Sequence, residues 1–133
     1  MKKEKKTKAE KIFEAGCGEG FSSRAIILSK ECQFTGMDVS MKSILLAKKK
    51  CPKGHFFQGN IYSLPFIDSR FDLVMSLEVL EHLENPAKVL AEVSRVLKPN
   101  GVFIFATPNA DYLPLKIMNL VNSAKLNHLI RPI

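Results

Sequence analysis

The chain has 133 residues, 46% hydrophobic and 25% charged, which allows one domain with a buried core and excludes disordered or fibrous composition. Its three cysteines, Cys17, Cys32 and Cys51, form no C-x-x-C pair, which argues against a disulfide framework or a zinc ribbon and for free thiols in a reducing compartment. Of the net charge of +7, most sits in the first eleven residues, where six lysines oppose two glutamates. Residues 1–10 therefore read as a basic, flexible tail, with nucleic-acid attraction as the weaker alternative. No run of about 18 apolar residues exists to span a membrane. The start, MKKEKKTKAEK, lacks the apolar centre of a secretory signal, so a cytoplasmic location is expected.

Residues 11–20, KIFEAGCGEG, read as a short strand carrying Ile12, Phe13 and Ala15, then a turn with Gly16, Gly18 and Gly20. A helix over residues 21–31 follows, with Phe21, Ala25 and Leu28 expected inward and Ile26 and Ile27 widening that face. Such a turn lets a ligand lie against the main chain, and the helix behind it offers unpaired N–H groups. A dinucleotide fingerprint would need glycine at position 21, where Phe21 stands. The pattern present is acid-x-G-x-G-x-G, with Glu14 as the acid, and it resembles the first motif of class I methyltransferases that use S-adenosylmethionine.

A second strand, residues 33–38, ends at Asp38, 22 residues beyond Gly16. In a strand, helix, strand unit that carboxylate comes beside the glycine turn, where it can accept both hydroxyls of a ribose. Otherwise it merely precedes the next helix, capped by Ser40, with Met41, Ile44 and Leu45 inward and three lysines at its end. The pair Cys51-Pro52 and Gly54 break that helix, and residues 55–58 form a third strand before Gly59, Asn60 and Ile61. Residues 71–76 read as a buried fourth strand. Asn85 and Pro86 start a helix with Val89, Leu90, Val93, Val96 and Leu97 buried, stopped at residues 98–101. Residues 102–107 form the fifth strand, and Ile117, Leu120, Val121 and Ala124 suggest an amphipathic helix within a C-terminal segment, residues 110–133.

The order "LPF", "FDLV", "LEVLEHL" is similar to the ubiquinone-biosynthesis, or type 11, subgroup of small-molecule methyltransferases. With the glycine motif, the resemblance covers residues 11–109. It implies an α/β fold: a doubly wound, Rossmann-like parallel sheet of order 3-2-1-4-5. Two further family strands are not recognisable, so the fifth strand would be an exposed edge. Either a missing segment, the last helix or a homo-oligomeric partner is expected to cover it.

The resemblance also implies that S-adenosyl-L-methionine is held by Glu14, Gly16, Cys17, Gly18, Gly20, Asp38, Val39, Asn60, Ile61, Ser76 and Leu77. Glu14 would sit near the cofactor's amino group, or instead serve the turn's own N–H groups. Asn60, standing where the family usually has an acid, would accept from the adenine amino group, and the Ile61 N–H would meet a ring nitrogen. Cys17 would contribute its backbone. After the fourth strand, Glu78, Glu81 and His82 stand as E-x-x-E-H, which on a helix shares one face. They serve a helix start, supply a general base through His82 or Glu81, or hold a divalent metal; no metal is expected, since such a site needs a further histidine and His128 stands in a tail with no matching motif. The expected function is methyl transfer to a small-molecule acceptor by in-line displacement. A non-catalytic or truncated cofactor-binding module is the alternative, and an NAD-dependent oxidoreductase is disfavoured by Phe21.

Overall fold

In the computed structural model, residues 9–77, 79–106 and 130–132 are described. Strand β1 (Glu10–Ala15) lies at the centre of the sheet, and the alternation of its side chains decides what each face carries. Phe13 and Ala15 join one core cluster and Ile12 the other. β1 pairs in parallel with β2 (Cys32–Asp38) on one side and with β4 (Phe71–Leu77) on the other. β3 (His55–Gln58) lies beyond β2 and β5 (Leu97–Ala106) beyond β4, which gives the expected order 3-2-1-4-5. The reversal of winding therefore falls between β1 and β4, beside the glycine turn.

Helices α1 (Phe21–Ser29) and α2 (Met41–Lys50) cover the Ile12 face, and α3 (Pro86–Val96) covers the Phe13 face. On the Phe13 face the ring of Phe13 lies 5.0 Å from Phe66 and 5.2 Å from Phe71, with Phe66 to Phe71 at 4.8 Å. The expected caps are made. Ser40 Oγ accepts the Ser43 N–H at 3.2 Å, and Asn85 Oδ1 accepts the Lys88 N–H at 3.3 Å with Pro86 opening the helix.

Several expectations need correction. A sixth strand, β6 (Ile130–Pro132), pairs in parallel with Phe103, Ile104 and Phe105 of β5, so the fifth strand is not left bare along its whole edge. The C-terminal segment is thus not wholly helical, and residues 117–124 lie outside the described residues, as do residues 1–8 of the tail. Glu10 already belongs to β1, and its carboxylate meets Lys30 Nζ at 2.6 Å. The residues 98–101 do not precede the fifth strand but bulge out of it. Pairing starts at Phe71 with Leu97 and resumes only at Leu73 with Val102, and Asn100 adopts a φ of 65° in the excursion.

Two helix faces also differ. In α1, Phe21 and Leu28 are 72% and 73% exposed and Ala25 is exposed, whereas Ser23 is fully buried. In α2, Ile44 and Ala47 are buried, while Met41 and Leu45 are about half exposed. The face that α2 buries is the one that meets the glycine turn: a Cβ on Gly20 would stand 3.1 Å from Ala47 Cβ. Among the described residues no helix is long and apolar enough to cross a membrane.

Because Phe13 is fully buried and ties β1 to two other rings, Phe13→Ala should lower unfolding free energy by about 3–5 kcal/mol in urea titration. A loss below about 1 kcal/mol would mean that this aromatic cluster is not the core of the sheet's α3 side.

Candidate functional site

The glycine turn is fastened to the neighbouring strand before any ligand is considered. The Gly16 and Cys17 N–H groups both donate to the Met37 carbonyl, at 2.8 and 3.0 Å. Gly18 N–H donates to Asp38 Oδ2 at 2.9 Å, Ser40 N–H donates to Oδ1 at 3.0 Å, and Gly59 N–H donates to the Asp38 carbonyl at 3.0 Å. Gly18 has a φ of 54°, and a Cβ there would meet nothing within 4 Å, so its backbone faces open space. A bare backbone N–H and a carboxylate thus stand together at the carboxyl ends of two adjacent strands.

Beside them opens a cleft of about 410 Å³, within the range usual for small-molecule sites. Of the residues expected from sequence, Gly16, Asp38, Val39, Ile61, Leu77 and His82 line it. Met37, Gly59, Val79 and Leu83 line it too and were not anticipated. Met37 and Gly59 adjoin expected positions, so their neighbours were the available signal. Val79 and Leu83 are apolar residues in a connection, where sequence alone does not separate packing from lining.

The other expected residues lie elsewhere. Glu14, on the Ile12 face of β1, is 1% exposed and accepts from Ser22 Oγ at 2.6 Å and Ser23 Oγ at 2.7 Å. It pins the first turn of α1 beneath the glycines, which explains why Ser23 rather than an apolar residue is buried there. Burial holds its carboxyl above the usual glutamate range, the two hydroxyls oppose that shift, and the charge of Asp38 adds to it. Cys17 is buried, and its thiol is pushed up to about 12 by desolvation and then by Glu14 and Asp38, which leaves it an inert packing group. Gly20 packs against α2. Asn60 does not line the cleft, and its Oδ1 already accepts the Tyr62 N–H at 2.9 Å.

After β4 the E-x-x-E-H stretch does not form the α-helix that would bring its acids to one face. A single 3-10 turn spans Leu80–His82 and ends where Leu83 turns extended, with φ −87° and ψ 133°. Leu80 enters the core, and Glu78 lies outside the described residues. The His82 side chain is 78% exposed and its Nε2 stands 3.7 Å from Oε1 of Glu81, which is only 13% exposed. Ser76 Oγ and Glu81 Oε2 are buried and have no hydrogen-bond partner. Unpaired buried polar atoms of this kind are rare, and both belong to the stretch from the end of β4 to the 3-10 turn.

A doubly wound sheet with a glycine turn and an acidic strand tip at its switch point places the chain in the Rossmann-like class of α/β domains. More narrowly, it belongs to the methyltransferase-domain family, whose profile matches residues 13–105. A probable S-adenosylmethionine-dependent methyltransferase of Mycolicibacterium smegmatis is 35% identical over 98 residues, covering 74% of this chain and 38% of the relative. The malonyl-acyl-carrier-protein O-methyltransferase of Enterobacter lignolyticus is 32% identical over 104 residues, covering 78% of this chain and 41% of the relative. Among solved structures, a cyclase superposes with a TM-score of 0.69 at 26% identity, over 71% of this chain and 37% of its own. The chain spans about two-fifths of the length of these proteins.

A buried acid whose folded-state affinity for its proton is raised favours the fold at low pH, and that contribution is lost as pH rises through the raised value. Glu14→Gln keeps an acceptor and a donor for the two serines but does not titrate. Its stability relative to wild type should therefore rise as pH climbs above the ordinary glutamate range in denaturant titrations. A difference that stays flat with pH would show that the Glu14 charge is not the strained group.

Proposed function

We propose that this chain holds S-adenosylmethionine in the cleft beside the glycine turn and serves methyl transfer to a small-molecule acceptor. The observation that carries this reading is the contact of Gly18 N–H with Asp38 Oδ2 at 2.9 Å, at the mouth of a nucleoside-sized cleft. Each Asp38 oxygen accepts one backbone N–H and keeps lone-pair capacity for a ribose hydroxyl. Gly16 and Gly18 would admit the cofactor against bare backbone. Met37, Val39 and Ile61 would take the faces of the base, with Asn60 nearby, while Leu77 would border the amino-acid end and Ser76 would lie buried behind it.

When bound, S-adenosylmethionine supplies a sulfonium methyl open to in-line displacement, a chemistry that asks the protein mainly for alignment. The protein's remaining task is to place the acceptor and, where its nucleophile carries a proton, to take that proton. His82 borders the cleft and is backed by Glu81, so this pair is the proton acceptor we propose. The names of the relatives, one an O-methyltransferase and one S-adenosylmethionine-dependent, support the cofactor and the reaction class. A second reading, a cofactor-binding module without methyl transfer, has no support over this one; the likeness to a cyclase says only that the fold is shared with other chemistry.

Calorimetric titration should give binding of S-adenosylhomocysteine and none of NAD; binding of NAD alone would overturn the assignment. Asp38→Ala should weaken S-adenosylhomocysteine binding by roughly 1.5–3 kcal/mol, and unchanged affinity would remove Asp38 from the site. With an acceptor in hand, His82→Gln should lower kcat by about 10²–10⁴ while leaving cofactor affinity unchanged. An unaltered kcat would take His82 out of proton transfer.

A further inference from the structure

Gly59 and Ile61 reach the cleft on the connection between β3 and β4, residues 59–70, which contains no helix or strand of its own. Such a connection is ordinarily among the looser parts of a fold unless something outside it binds its backbone. Here α3 binds it at two levels. Near the start of α3 the Asn85 N–H donates to Tyr62 Oη at 3.3 Å. At the far end, Arg95 directs all five of its N–H donors. Nε and one Nη2 hydrogen go to the Glu92 carboxylate at 2.9 and 3.0 Å, the other Nη2 hydrogen to the Leu64 carbonyl at 2.9 Å, and the two Nη1 hydrogens to the Phe66 carbonyl at 2.7 Å and Asp68 Oδ1 at 2.9 Å.

Glu92 completes the arrangement by accepting the Leu64 N–H at 2.7 Å. Both backbone groups of Leu64 and the carbonyl of Phe66 are therefore taken by one ion pair, much as a neighbouring strand would take them. The Phe66 ring is held as well, 5.0 Å from Phe13 and 5.7 Å from Phe57, and Phe57 lies in β3 two residues before Gly59. The hydrogen bonds from Arg95 keep the Glu92 carboxyl below the usual range, so the acceptor stays charged. A lysine could not replace this fork, because its three donors radiate from one point.

We infer that Arg95, acting with Glu92, is a positioning residue for the cleft: by fixing residues 64–66 it holds Gly59 and Ile61 as a rigid wall against the nucleobase. The inference depends on reading the cleft as a nucleoside site, and it assigns no contact between Arg95 and the ligand. A staple for general stability is the rival, and Val93→Ala, which hollows the buried face of the same helix while removing none of the Glu92 and Arg95 hydrogen bonds to the connection, serves as its control.

Full-length wild type, Arg95→Met, Arg95→Lys and Val93→Ala would be compared in two measurements: amide exchange over residues 59–66, and calorimetric affinity for S-adenosylhomocysteine. Exchange there should quicken about tenfold in Arg95→Met, relative to the rest of the sheet, and affinity should fall about tenfold. Arg95→Lys should recover little of either, and it stands in should the methionine variant fail to fold. Val93→Ala, though less stable, should bind within about twofold of wild type. Unchanged exchange over residues 59–66, unchanged affinity in both Arg95 variants, or an equal loss in Val93→Ala would each overturn the proposal. If wild type itself bound no S-adenosylhomocysteine, the reading of the cleft would fail and the nucleobase role of Arg95 with it. The exchange data would still report whether the clamp exists.

Discussion

Asp38 accepts the Gly18 N–H with one carboxylate oxygen and the Ser40 N–H with the other, and its carbonyl takes the Gly59 N–H. The turns that leave β1, β2 and β3 are thereby tied to a single residue at the carboxyl edge of the sheet. A parallel sheet delivers its strand ends to one edge, yet it does not by itself hold the loops beyond them in register. Asp38 supplies that register, and it does so with hydrogen bonds to a charged acceptor, which are stronger than neutral ones. The carboxylate proposed to meet a ribose is therefore also a structural junction. This explains why a site of this kind can exist in order before a ligand arrives.

The same edge contains a second acid with the opposite environment. Glu14 follows Phe13 in β1, so the alternation of the strand turns it away from the aromatic cluster and under α1. Asp38 is partly open, whereas Glu14 is 1% exposed and answered by two serine hydroxyls. Burial raises the affinity of Glu14 for its proton, and the charge of Asp38 adds to that. Burying an acid here costs stability that an apolar residue would not, but it sets the direction of α1 and hence where the glycine backbone faces. The acid of the motif thus shapes the turn from behind.

How far the sequence spoke depended on what kind of force set each element. The stripe Val89, Leu90, Val93 and Val96 was legible because α3 is held by apolar burial, which leaves a helical period. The sheet order and the meeting of Gly18 with Asp38 were legible through glycine spacing and the reach of a strand, helix, strand unit. The face of α1 was not, because Ser22 and Ser23 turn it toward Glu14 and hydrophobic periodicity carries no record of a hydroxyl-carboxylate bond. The face of α2 was missed for a related reason: it is Ala47 that meets Gly20, and a small residue at a crowded point looks unremarkable in sequence. In place of the helix expected at residues 78–82, Leu80–His82 form one 3-10 turn with Leu80 drawn into the core, and one apolar residue in a short turn leaves no period to read. The strand at residues 130–132 has too few residues for a period of two to show.

The half of the cleft most open to change is the side built after β4. Val79 stands so close that a Cβ on Gly16 would come within 2.5 Å of its Cγ2, so the glycine turn and the connection after β4 are in direct contact. Val79, His82 and Leu83 nevertheless sit on a 3-10 turn and its flanks, held by two local backbone hydrogen bonds, rather than on a strand. Asp38, Gly16 and Ile61, in contrast, are fixed by strand ends and by α3. The two sides of the cleft are therefore held by different means although they touch at Val79 and Gly16. A cyclase and an O-methyltransferase on the same scaffold are what that division of rigidity leads one to expect. The glycine turn is anchored to β2 through Met37 and Asp38, whereas the turn after β4 is held by bonds within itself.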